Sequence, residues 1–308
     1  MSHGSHARLG LVQVSLAGIL WGTGGLGVQI IREHEPMSVL TISAWRMGLA
    51  AAVLLAAVLL LRQAGDVARL LGERPGPALA AGVATGAYQA LYFGSVVAVG
   101  VTVATVVSLG LAPLLVTAVE CVRARRAPSG RSLLVLALAL AGLVLVSSTA
   151  GLGETGPRPA LGVALAIASG TTYAVTTMLA ETIAATTTPL ALTSVATGAG
   201  AVALLPFGLW AARGDAPLVS TDPAAVTTLL YLGVITMALA YGLLYSGLRT
   251  TTGSAAVVAS LLEPVTAAVV AAVALDERLG VAGILGTLLI LAAVAGLGRR
   301  ETPVTPPP

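Results

Sequence analysis

The chain has 308 residues, 56% of them hydrophobic and 9% charged, with a formal net charge of +3 and a mean hydropathy of +0.95. This composition excludes a soluble globular domain, which carries near a quarter charged residues and has no interior large enough for so much apolar surface. A single cysteine, Cys121, excludes an internal disulfide and a CxxC metal site.

The apolar residues fall into repeated stretches of about 20, the length that crosses roughly 30 Å of hydrocarbon. The runs are continuous and do not alternate every second residue, so they predict membrane helices and not a barrel. The opening MSHGSHARLG is polar and is expected to be disordered. A first span follows at 9–31. It is too long for the apolar part of a secretory signal and lacks a small-x-small cleavage site followed by a soluble domain.

The turn EHEP at 33–36 leads to a second span at 39–61, and ERPGP at 73–77 leads to a third at 77–98. Almost nothing separates the third from a fourth at 101–120, which predicts a tight hairpin. The basic segment VRARRAPSGR precedes a fifth span at 132–149. GETGPRP at 153–159 opens onto a sixth at 160–182, and a seventh follows at 189–210. GDAP at 214–217 precedes an eighth at 224–247, and the ninth and tenth are read at 254–275 and 280–298. The fold class is thus an all-α integral membrane protein of ten transmembrane helices.

All 16 basic residues are Arg, and they sit in the short gaps without a basic stripe or interleaved aromatics, so a nucleic-acid partner is not indicated. They fit topology signals instead. With the N-terminus inside, eleven Arg fall in inner segments and four in outer ones, while Arg46 lies within a span. Both termini are therefore expected in the cytoplasm.

The halves, 9–149 and 160–298, overlay at an offset of about 151 residues. SLGLAP at 108–113 meets SLLEP at 260–264, proline on proline, and LWG at 20–22 meets TYA at 172–174. Five spans is an odd number, so two successive copies enter the membrane from opposite sides. Such an inverted repeat lets one sequence open alternately to either face.

The segment 253–297 resembles the end of an EamA repeat of the drug/metabolite transporter superfamily. It has an apolar helix with Glu263-Pro264, an acidic-basic turn at Asp276, Glu277 and Arg278, and a Gly-rich last helix. ILWG at 19–22 and AWR at 44–46 resemble the start of the first such repeat. The turn after span four lacks the Glu usual there, and Tyr173 stands where a Trp is common. The resemblance implies ten helices, cytoplasmic termini and a central substrate cavity.

Charge inside a bilayer costs about 2.5–3.5 kcal/mol on insertion scales, so each buried ionisable group needs a reason. Arg46, two turns into span two, is read either as an anion contact or gate partner, or as an Arg bonded to backbone carbonyls or snorkelling to the interface. Glu263 lies mid-span before Pro264, which removes a backbone donor and disturbs the carbonyl of Ser260. It is read either as a proton-coupling carboxyl or as a structural partner. Glu120 and Glu181 sit near inner helix ends and are expected to be interfacial residues paired with nearby Arg.

WGTGGLG at 21–27 fails as a dinucleotide loop because no strand precedes it. In a membrane helix it allows close packing or leaves room beside a cavity. Trp21, Tyr88 with Gln89 and Tyr92, Tyr173, and Tyr241 with Tyr245 are candidate lining residues, because phenols and indoles both stack on and hydrogen-bond an organic solute. Ordinary helix packing is the alternative for each ring. No cofactor or metal is implied, and no phosphate loop lies between spans. The expectation is a secondary transporter, an exporter of small metabolites or drug-like solutes, in a bacterial plasma membrane and acting as a monomer or homodimer. An uptake permease of the same fold and an intramembrane lipid-modifying enzyme are the alternatives.

Overall fold

The structure, a computed structural model, describes residues 3–149, 157–213, 216–274 and 280–297. Among these residues there are helices and no strands. Nine helices are long and apolar enough to cross a membrane: Ala7–His34, Val39–Leu60, Pro75–Val99, Val101–Ala124, Gly130–Ser148, Pro159–Ala184, Pro189–Ala211, Pro223–Gly247 and Gly253–Ala274. These are spans one to nine below. The expected tenth span is the apolar helix Val281–Leu297, 17 residues long. The turn at Asp276, Glu277 and Arg278, most of GETGPRP, the first half of GDAP, and Arg299 and Arg300 lie outside the described residues.

Local chemistry explains the helix ends. Pro75, Pro159, Pro189 and Pro223 stand in the first turn of spans three, six, seven and eight, where their missing N–H removes no helical bond. Ser38, Asp222 and Thr252 each accept a hydrogen bond from the N–H three residues on, capping spans two, eight and nine. The hairpin between spans three and four is one residue, Gly100, with φ 97°. A side chain there would clash with the backbone, so glycine is what permits so short a connection.

Two expectations are corrected. The first helix begins at His3, so part of the opening segment expected to be disordered continues span one. The gap after span two contains a further helix, Ala64–Glu73, with Asp66 in its first turn and Leu70 buried against the bundle. Its one apolar stripe is too narrow to read as a span.

Three spans are interrupted. Span one breaks at Thr23, between His3–Gly22 and Gly24–His34. Span eight carries a π-helical stretch, Leu232–Leu239, and span nine breaks at Ser260–Leu261. The last break is the one the proline implies. With no N–H on Pro264, the Ser260 carbonyl instead accepts from Glu263 at 2.9 Å.

The main packing pairs correspond when the halves are exchanged. Span one packs on spans eight and nine, and its counterpart span six packs on spans three and four. Span two packs on its counterpart seven, and span five on the tenth helix. The same close contact recurs in both halves. A Cβ on Gly18 would lie 3.1 Å from Ser260, and a Cβ on Gly170 would lie 2.5 Å from the Ser108 carbonyl. Large apolar side chains such as Leu60, Val122 and Val273 cover the outside, as a lipid-facing surface requires.

Candidate solute cavity

Between the halves lies a cavity of about 520 Å³. Eight of the nine expected residues border it: Trp21, Arg46, Tyr88, Gln89, Tyr92, Tyr173, Tyr241 and Glu263. Tyr245 does not. It is fully buried one turn beyond Tyr241, their rings 5.9 Å apart, where helix packing has closed. The four-residue spacing puts both tyrosines on one helix face but says nothing about where the cavity ends.

The rings form two groups. Tyr88 stacks on Tyr173 with centroids 5.0 Å apart and planes at 27°, joining spans three and six. Trp21 meets Tyr241 at 5.1 Å and 59°, joining spans one and eight. Such offset and tilted pairs add about 0.5–1.5 kcal/mol each beyond their buried area. The polar tips are held as well: Tyr173 donates to Ser260 Oγ at 2.9 Å, and Tyr92 shares a 2.8 Å hydrogen bond with Thr105. Gln89 donates to Met47 Sδ at 3.3 Å.

Arg46 is 9% exposed, and its Nη2 donates to Thr236 Oγ1 at 3.1 Å and Met237 Sδ at 3.5 Å. Both acceptors belong to the π-helical stretch. Thr236 gives its own proton to the Leu232 carbonyl at 2.7 Å, which leaves its oxygen free to accept from the guanidinium. Neither snorkelling nor carbonyl bonding therefore describes Arg46. Glu263 faces the same cavity from span nine, just past the break, and forms no ion pair with Arg46 within 4.0 Å. The cavity thus holds a guanidinium and a carboxyl group that are not in contact with each other.

The rest of the lining gives its direction. Val28, Val39, Val96, Val101, Ser147 and Ala271 all lie toward the end where spans one, three, five and nine finish, and this end is the mouth. At the other end the backbones touch: a Cβ on Gly247 would lie 2.6 Å from the Gly10 carbonyl. Arg74 donates to the Thr182 carbonyl at 3.2 Å there, and Arg131 donates to the Gly296 carbonyl. Glu120 and Glu181, expected to pair with Arg, instead accept backbone N–H groups at the start of span nine.

Sequence reasoning missed Phe93 and Thr105 on the wall and Thr236 behind Arg46. Phe93 was readable, since it follows Tyr92 in the same apolar run. Thr236 carries no signal in an apolar helix until the partner it meets is known. Among the described residues, no group of three His, Cys, Asp or Glu is placed to hold a metal ion.

Apolar spans packed around a polar and aromatic cavity define a multi-pass membrane protein. Comparison makes this specific. The model of the EamA-like transporter family matches residues 8–148 and again 160–299, so the chain belongs to that family and to the drug/metabolite transporter superfamily. It is 30% identical to the uncharacterized transporter YwfM of Bacillus subtilis (strain 168) over 278 residues, 90% of each chain. It is also 30% identical over 157 residues to an uncharacterized transporter of Archaeoglobus fulgidus, covering 51% of this chain and 54% of that one. A crystal structure of another protein shares the fold with a TM-score of 0.76 at 20% identity, covering 95% of this chain and 96% of the other.

Proposed function

We propose that this transporter is a secondary carrier that exports small metabolites or drug-like solutes by alternating access between two inverted five-helix repeats. The observation that carries the reading is the cavity itself, about 520 Å³, with six aromatic rings, one guanidinium and one carboxylate converging on it from both halves. A volume in that range accepts an organic solute of modest size, and mixed walls suit an amphipathic one. The exchange of packing partners between the halves supports alternation, because a fold built twice in opposite directions has two states of similar energy. No bound cofactor is needed, and no catalytic role is assigned to the chain.

The Arg count assigns both termini to the cytoplasm and the cavity mouth to the outer face of a bacterial plasma membrane. Reporter fusions at Pro308 should then be active in the cytoplasm, and fusions after Ile31 should be active only when exported. The reverse pattern overturns the assignment. Function is tested by a thermal-shift screen of a solute library on purified protein, followed by counterflow in liposomes. The expected result is at least one amphipathic solute that both stabilises the protein and exchanges; stabilisation without exchange overturns the carrier reading.

A further inference from the structure

The end opposite the mouth is fastened by two carboxylates that reach across the bundle. Glu181, at the end of span six, accepts from the Gly253 N–H at 3.0 Å, and Glu120, at the end of span four, accepts from the Ser254 N–H at 2.8 Å. These N–H groups open span nine and have no partner within their own helix. A carboxylate is the side chain best matched to them, because its charge opposes the positive end of the helix dipole. Gly253 allows the approach: a Cβ there would stand 2.8 Å from Glu181 Oε2 and 3.2 Å from Val116. The start of span nine packs on spans four and six as well as on span one, and the two carboxylates tie it to the first two.

The repeat supplies the comparison. At an offset of about 151 residues, the places of Gly253, Glu181 and Glu120 fall to Thr102, Ile30 and Ala271 in the other half. None of these is a carboxylate. Thr102 and Ala271 line the cavity at its mouth. The positions that place carboxylates on a helix start lie at the shut end, and their counterparts lie at the mouth.

We infer that Glu120 and Glu181 are the latch of the closed gate. This end opens by breaking their bonds to Gly253 and Ser254. The inference rests on the alternating-access reading, but its test needs no solute. In purified protein with Cys121→Ser, Val116→Cys reports the closed end, since Val116 is fully buried beneath Gly253. Ala271→Cys reports the mouth.

Introducing Glu120→Ala with Glu181→Ala should raise labelling of Val116→Cys by a hydrophilic maleimide at least about tenfold, since two charge-assisted hydrogen bonds are lost. Labelling of Ala271→Cys should fall. Glu120→Gln with Glu181→Gln keeps side-chain volume and should give a smaller rise in the same direction, and it decides the matter if the alanine pair does not fold. Unchanged labelling of Val116→Cys in the folded variant overturns the latch. A labelling shift in a protein that moves no solute leaves the latch standing and overturns the carrier reading.

Discussion

Span one packs on spans eight and nine, and its counterpart six packs on spans three and four, yet the two groups are built differently. Every long interruption of α-helix among the described spans falls in the first group, at Thr23, at Leu232–Leu239 and at Ser260–Leu261. The second group is continuous, even though span four contains Pro113 at the place of Pro264. Proline alone therefore does not decide a break. The serine four or five residues earlier differs in what it bonds. Ser260 Oγ turns back on its own helix, to the Val257 carbonyl at 2.9 Å, and is fixed there by Tyr173. Ser108 Oγ reaches across to Ser169 at 2.8 Å, leaving its own turn intact. The continuous group contributes an aromatic wall of Tyr88, Tyr92, Phe93 and Tyr173, while the interrupted group brings Glu263 and the acceptors of Arg46 to the cavity. Irregular backbone at membrane depth is tolerated where it lines a polar cavity, and that is where it lies here.

The largest effect expected from breaking this division is at Glu263, the one carboxylate of the interrupted group that faces the cavity. If it carries the coupling proton, Glu263→Gln leaves a folded protein that exchanges solute in liposomes but no longer accumulates it under an imposed pH difference. Retained accumulation excludes the coupling role. A lowered melting temperature with accumulation intact assigns Glu263 to holding the bend.

The link between span two and the π-helical stretch comes next. Arg46→Ala removes a buried charged donor, an interaction of about 1.5–3 kcal/mol, so the affinity for solutes found by thermal shift should fall roughly ten- to a hundredfold. Thr236→Val removes only the oxygen behind Arg46 and should cost about 0.5–1.5 kcal/mol, a smaller loss in the same assay. Equal losses would show that Thr236 holds Arg46 in place; no loss at Thr236 would show that the π-helical stretch does not position it.

A third comparison is internal to WGTGGLG. A Cβ on Gly22 would lie 2.5 Å from the Glu263 carbonyl and from Thr266 Cβ, whereas one on Gly25 would meet nothing within 4 Å. Gly22→Ala should therefore destabilise the protein by about 1–3 kcal/mol through overpacking. Gly25→Ala should stay within about 0.5 kcal/mol. Melting curves that do not separate the two variants would mean that spans one and nine do not pack this closely.

Much of this was legible in the sequence because the bilayer imposes it. Span positions follow from hydrocarbon thickness, and eight of nine lining residues follow from placing polar and aromatic side chains at mid-depth in an otherwise apolar chain. What was not legible depends on partners far away in the chain. The break at Thr23 is supported by its 2.7 Å bond to the Leu20 carbonyl and a 2.8 Å hydrogen bond shared with Tyr231, 208 residues on. The π-helical stretch is read only together with Arg46, which lies 190 residues before Thr236. Glu120 and Glu181 looked like interfacial carboxylates in want of an Arg because their acceptor role needs the start of span nine in place.

The smallest effect concerns how the interrupted group is anchored beside the mouth. Span eight starts at Asp222, whose Oδ1 accepts from the Ala225 N–H at 2.9 Å and lies 3.4 Å from His34 Nδ1 at the end of span one. Span three, its counterpart, starts at Arg74 with no side-chain cap. The Ala225 N–H bond, aided by His34, holds the Asp222 carboxyl below its ordinary value of 3.8. A carboxyl with a depressed folded-state value adds stability that is present above its ordinary value and lost as pH falls through the folded one. The cap should therefore be intact at neutral pH and disappear only below about pH 4. Asp222→Ala should lower the melting temperature slightly at pH 7, and the difference from the unmodified protein should close as the pH is taken below 4. Asp222→Asn keeps an oxygen for the Ala225 N–H but cannot titrate, so its melting temperature should stay near the original at pH 7 and should not follow that closing. If Asp222→Asn instead matches Asp222→Ala at neutral pH, the Asp222 charge matters more than the cap, and spans one and eight are tied by its contact with His34.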